Sequence, residues 1–351
     1  ELRSAGFRGF ASGPDAGVLV ATRFGDTSQI HHVGSPRGAR RQLTFASEPI
    51  SWAAPHPTVP ARMRIGQDVG GNEAYQVVGF HVPTSTLTLL TDGTSRHGGA
   101  VWSDDPSDPT QFAFVGTQRN QKDYDIYLGD STKPGEAQRV FEGDGYHGIA
   151  DWDAVNDVMT VFRYESSTRS SVHVLEDGAL RRLTPEGEVS VSGGALSPDA
   201  TTAYVVSDHE GEFKQLYAVD VASGDMTRLS VDVPWDVQSF ALSPDGRTLA
   251  FTVNERGWGR LYLHDLKKGT TRKPTSLPDG MVGSLRFHRD DSRTLGMSIS
   301  GPDRPSDAWT LDVKKDVATR WTHSETAGLA PSDFVQPETI TWKSFDGLEL
   351  D

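Results

Sequence analysis

The stretch with most local chemical character is Asp68-Val69-Gly70-Gly71-Asn72-Glu73, where a strand-like run through Gln67 turns into a second that leaves as Tyr75-Gln76-Val77. The glycine pair supplies positive φ for a hairpin corner. On spacing alone the segment reads as such a corner, with Asp68, Asn72 and Glu73 as its polar side chains and Glu73 at the tip the candidate contact residue. Other chemistry is conspicuous by omission. No Gly-x-Ser-x-Gly nucleophile elbow occurs; Gly296-Met297-Ser298-Ile299-Ser300 comes nearest, lacks the second glycine and sits in a strand pattern, so Ser298 reads as structural. A Walker loop, a dinucleotide fingerprint and a His-Glu-x-x-His helix are also missing. No catalytic residue and no cofactor is therefore assigned to this chain. His31 and His32 are adjacent on a predicted strand and point to opposite faces, so they cannot share a metal. Asp104, Asp105 and Asp108, and likewise Asp123 and Asp125, lack the spacing of a calcium loop, and no metal site is expected.

Composition narrows the classes further. With 34 Lys+Arg against 48 Asp+Glu the net charge is −14, which disfavours binding to nucleic acid. The cluster Arg37, Arg40 and Arg41 reads as a solvated turn between strands. Absence of cysteine excludes disulfides, cysteine-ligated metals and a thiol nucleophile, and fits a reducing compartment, so a cytoplasmic location is expected. No run approaches 18 uncharged apolar residues, and Glu1, Arg3, Arg8, Asp15, Arg23 and Asp26 interrupt the first thirty positions. The expectation is a soluble chain with no membrane partner.

The elements that must position these residues follow from a repeat. A unit of a basic residue, an apolar residue and Thr or Ser recurs as Arg41-Gln42-Leu43-Thr44, Leu89-Leu90-Thr91, Arg139-Val140-Phe141, Arg182-Leu183-Thr184, Arg228-Leu229-Ser230, Lys273-Pro274-Thr275 and Arg320-Trp321-Thr322. The seven copies stand 43 to 50 residues apart, the period of a propeller blade. Inside each unit a period-two apolar run opens near Gly17, Met63, Gln111, Asp157, Thr201, Arg247 or Ser292, and a second run and a turn follow it. The phrases Leu196-Ser197-Pro198-Asp199 and Leu242-Ser243-Pro244-Asp245-Gly246 end one strand and start the next, with Pro presetting φ and Asp or Gly taking the corner. The fold class predicted is all-β: a seven-bladed β-propeller with four antiparallel strands per blade, over residues 1–325. Residues 326–351 form a separate segment leading out of the seventh unit.

Three features carry a family resemblance: the Gly70-Gly71-Asn72-Glu73 turn in the second unit, the Leu-Ser-Pro-Asp phrases, and the ending Pro337-Glu338-Thr339-Ile340-Thr341-Trp342-Lys343-Ser344-Phe345-Asp346-Gly347. The chain resembles the prolyl oligopeptidase family of serine peptidases, in particular its acylaminoacyl-peptidase branch. In that family the closing phrase crosses from the propeller into an α/β-hydrolase catalytic domain. The resemblance implies that this chain is the non-catalytic propeller, that the triad lies beyond Asp351, and that the ring limits access to short peptides. It implies a partner hydrolase domain, in the same polypeptide or as a proteolytic partner, and allows a homo-oligomer. It also implies that Glu73 faces the catalytic site and pairs with an arginine of the hydrolase domain, with Asp68 and Asn72 beside it. A stand-alone Tol-type or WD-like propeller that binds a protein or peptide is the competing expectation.

Overall fold

A computed structural model describes residues 4–11 and 17–350. It shows seven four-stranded antiparallel sheets, spanning residues 6–42, 52–89, 97–141, 146–182, 191–228, 237–272 and 281–320, here blades I to VII. Within each blade the strands, A to D, follow one another in sequence order. The A strands meet those of neighbouring blades around the axis, which makes the molecule a seven-bladed β-propeller. The one helical segment among the described residues is the single 3-10 turn Pro331–Asp333.

One four-stranded sheet cannot bury both of its faces, and radial stacking solves this by sandwiching an apolar layer between each pair of blades. Leu19, Ile30, Ile65 and Phe80 fill the space between blades I and II, and Val77, Phe112, Phe114 and Tyr127 that between II and III. The openers read from sequence mark B strands, such as Val18–Thr22 and Thr248–Glu255, so each blade begins one strand earlier. The A strands escape periodicity because their pairing to B slips at a bulge in blades I, III, IV, V, VI and VII. A bulge breaks the two-residue alternation on which strand reading depends.

In four of the six units that close on Thr or Ser, that residue is a latch. Thr44 Oγ1 accepts the Ile30 amide at 2.9 Å and donates to Gln29 Oε1 at 2.8 Å, tying the end of strand D to strand C. Thr91 with Gln76, Ser230 with Gln215 and Thr322 with Asp307 repeat the pair. Blade VI departs from it: Thr275 bonds to Asp316 of blade VII instead. One expectation needs correcting. Arg40 is not a solvated turn residue; it lies in the D strand Arg40–Gln42, nearly buried, and forms an ion pair at 3.7 Å with Asp307 of blade VII. Ring closure draws it inward, an event that local sequence does not encode.

Candidate functional site

In an antiparallel blade the B–C turn and the D-to-A connection emerge on one face of the ring, and the A–B and C–D turns on the other. Residues 68–75 form the B–C turn of blade II, between Arg62–Gln67 and Gln76–His81. The chain beyond Arg320, the end of strand D in blade VII, leaves on that same face.

The turn holds itself. Gly70, Gly71 and Glu73 adopt φ of 61°, 72° and 59°, so two glycines and one strained L-residue share the left-handed region. A Cβ at Gly70 or Gly71 would meet open space, so conformation and not crowding requires glycine there. Asp68 is buried, and its Oδ2 accepts the Glu73 amide at 3.0 Å; Asn72 Oδ1 accepts the Ala74 amide at 2.9 Å. The three polar residues read from sequence are thus brought together, with different tasks. Asp68 and Asn72 spend their side chains on the backbone of the turn, whereas Glu73 is exposed and its carboxylate has no ion-pair partner among the described residues. A carboxylate fixed at a rigid tip is available to a cation approaching from outside the ring.

A feature not read from sequence lies on the same face. Residues past Arg320 fold back over the B–C turns of blades VI and VII and enclose a cleft of about 520 Å³ walled by Trp258, Met281, Pro302, Ile340 and Trp342. The tail ends in a small hairpin, Trp342–Lys343 with Glu349–Leu350, whose turn is closed by Ser344 and Leu348. Phe345 at its tip is wholly exposed, and Val335, Ile340 and Leu348 are also open to solvent.

Ser298 Oγ accepts the Phe7 amide at 2.8 Å, and buried Asp125 is held by Arg119 through two hydrogen bonds. His31 and His32 occupy consecutive places on Gln29–Val33, both buried. Among the described residues no group of three or more His, Asp or Glu is placed to hold a metal ion. No helix among them is long and apolar enough to cross a membrane.

No protein-family model matches the chain. Over 68 residues it is 35% identical to the uncharacterized peptidase YuxL of Bacillus subtilis (strain 168), a match covering 19% of this chain and 10% of that protein. Among solved structures, it superposes on a puromycin-hydrolyzing peptidase of Mycobacterium tuberculosis with a TM-score of 0.78 at 15% identity, covering 98% of this chain and 57% of the other. A prolyl endopeptidase gives 0.76 at 16% identity, over 99% and 52% of the two chains. Prolyl oligopeptidase B from Galerina marginata gives 0.75 at 11% identity, over 99% and 54%. These structural neighbours are prolyl oligopeptidase-type peptidases, and the chain has the fold of their propeller portion. It spans about half the length of these structures and a tenth of the curated relative.

Proposed function

We propose that the chain is the propeller portion of a serine peptidase of the prolyl oligopeptidase type, in the acylaminoacyl-peptidase branch, and that the ring limits access to an α/β-hydrolase catalytic domain to short peptides. The observation that carries this reading is the coincidence on one face of the departing tail, with Phe345, Ile340 and Leu348 bare, and the preformed Asp68–Glu73 turn. Apolar side chains of that size are stabilised by a covering partner, and a partner seated there would meet the Glu73 carboxylate. A rigid ring excludes folded proteins by size, and a cap over the site keeps water from it.

The test is Glu73→Ala, made both in the longer protein that carries this chain and in the 351-residue chain. A Glu73 that holds a cation across the interface loses that pairing, and kcat/KM for acyl-peptide or peptide substrates falls at least tenfold, about 1.4 kcal/mol. The isolated chain, where the Glu73 carboxylate has no ion-pair partner among the described residues, melts within a degree or two of the parent, and a fluorophosphonate probe labels none of its serines. Unchanged kinetics would remove Glu73 from the site, and labelling of the isolated chain would overturn the non-catalytic assignment. A stand-alone scaffold propeller would instead show no dependence on a hydrolase domain.

A further inference from the structure

Three strands carry an arginine at a centre flanked by apolar or small residues: Phe7-Arg8-Gly9 in Gly6–Phe10, Met63-Arg64-Ile65 in Arg62–Gln67, and Leu285-Arg286-Phe287 in Met281–His288. They belong to blades I, II and VII, which are consecutive around the ring; Arg8 and Arg286 lie on the inner A strands of their blades and Arg64 on the B strand beside the inner strand of blade II. Of the three, Arg286 reaches Gly9. A Cβ there would lie 3.4 Å from Arg286 Nη1 and 3.5 Å from Pro55 Cδ, so the Arg286 guanidinium crosses the inner strand of blade I toward that of blade II. Gly9 has φ of 147°, and the missing side chain leaves room for that crossing. Arg64 pairs in register with Ala54, next to Pro55, and its guanidinium lies over the Trp52 ring, 5.7 Å from the centroid.

Nothing of opposite sign answers these cations. Burial and the neighbouring Arg286 push Arg64 down to about 9, and burial alone lowers Arg8 and Arg286. Arg8 Nε and Arg64 Nε are buried without a hydrogen-bond partner. No described carboxylate acts on any of the three, and burial first, then the cations Arg62, Arg289 and Arg64, lower His56 from its ordinary range. Two buried carboxylates elsewhere are answered by cations: Asp307 has Arg40 and Arg320, and Asp125 has Arg119. Guanidinium groups that are partly desolvated and lack a carboxylate partner gain when an anion completes them, and the planar guanidinium suits bidentate binding of a carboxylate or phosphate. Arg64 and Arg286 remain accessible to solvent, so a small solute in the channel can reach them.

We propose that Arg64 and Arg286, facing the axial channel, form an oxyanion site that holds the carboxylate or phosphate of a small solute. The two sources of that chemistry are the free C-terminus of a short peptide and inorganic phosphate. The site needs only residues of this chain and stands or falls independently of the peptidase reading.

Isothermal titration calorimetry on the 351-residue chain, at fixed ionic strength set with chloride, separates the cases with three probes: sodium phosphate, trialanine and trialanine C-terminal amide. Saturable binding of phosphate or trialanine, with no binding of the amide, is expected. Binding of phosphate alone assigns the site to free anion; binding of trialanine assigns it to a peptide terminus. Arg286→Gln changes the most solvent-open of the three and weakens binding at least tenfold while leaving Tm unchanged. Arg64→Met weakens it equally and, by removing an unpaired buried charge, does not lower Tm in anion-free buffer. The proposal is overturned if neither anion binds saturably, if the amide binds as well as the acid, or if Arg286→Gln binds like the parent.

Discussion

Between blades IV and V the chain runs directly from one sheet into the next, and the joint is apolar. Val172, Val174, Leu183, Leu196, Val205 and Tyr217 interlock there, while Thr160 Oγ1 donates to the Gly194 carbonyl at 2.6 Å and the Leu196 amide to Asp151. Blades I and VII are the first and last of the seven blades in the chain, and among the described residues no strand is exchanged between them. The buried part of their apolar layer is Ala5, Phe7, Val18, Val20, Val33 and Ala308, in which Phe7 is the one large side chain, with Phe10 and Trp321 packed against it from the partly exposed side. Its ring lies over Gly296, where a Cβ would collide with it. Polar contacts supply the rest: the Ala5 amide to the Ser306 carbonyl, the Phe7 amide to Ser298 Oγ, the Arg37 amide to the Trp321 carbonyl, and Arg40 to Asp307. A joint without a connecting peptide thus relies on one aromatic anchor and on directional bonds, where a connected joint relies on area.

The comparison breaks most sharply at Phe7. Phe7→Ala leaves a hole above Gly296 that its Ala and Val neighbours cannot fill, and costs about 3–5 kcal/mol by the usual range for a buried Phe. Val205→Ala in the connected joint removes less, about 2–3 kcal/mol, because fewer atoms leave a layer with many other contacts. Denaturant unfolding of both variants decides; an equal or smaller loss at Phe7 would mean the seam is no more dependent on its anchor than the other joint.

A second substitution targets the seam's ionic half. Asp307 is fully buried, takes hydrogen bonds from Thr322 and Ser324 at 2.6 and 2.8 Å, and answers both Arg40 and Arg320. Asp307→Asn keeps the shape and removes the charge, stranding Arg40, with an expected loss of about 3 kcal/mol. Adding Arg40→Met to Asp307→Asn should recover part of that loss in the same assay, and no recovery would show that Arg40 is not what the carboxylate serves.

Acid sharpens the contrast from the other side. His173, in strand Arg169–Glu176 of blade IV, bonds through Nε2 to Ser171 Oγ at 2.8 Å and leaves Nδ1 buried without a partner. Burial first, then Arg182, Arg163 and His147, hold its pKa down to about 4. Between about pH 6.5 and 4 the unfolded chain binds a proton that the folded chain refuses, so stability is full above 6.5 and declines as pH falls, by about 2 kcal/mol at pH 5. His173→Gln should flatten Tm against pH over this window. Parallel Tm profiles for parent and variant would exclude His173 as the acid-sensitive group.

The architecture was legible because its signals are local. Ser197 and Ser243 sit in the Leu-Ser-Pro-Asp phrases, and each hydroxyl donates to the Asp two residues on while accepting the amide five residues on, a device contained in one short segment. The latch at Thr44, Thr91, Ser230 and Thr322 is equally compact and recurs with the blade period. The Asp68–Glu73 turn was legible in outline, although its residue types did not separate the buried Asp68 from the exposed Glu73. The channel arginines were not legible. Arg64 and Arg286 are far apart in sequence, and only ring closure brings them near each other. Their one local trace is a single cation inside a strand of apolar or small residues, such as Met63-Arg64-Ile65.

The uninterrupted order of strands within every blade also has a kinetic side. Each strand pairs with the one before it, so hairpin after hairpin forms with short loops and little sequence separation. The exception is the seam, where Phe7 meets Ser298 across a separation of 291 residues. Bringing such distant segments together from a flexible chain costs about 5 kcal/mol in loop entropy, but blades already stacked in a curved row deliver the two ends to each other with most of that entropy already spent. The ring therefore closes last and opens first: an arc of seven formed blades precedes the closed circle in folding, and the same arc is the first excursion available to the native protein.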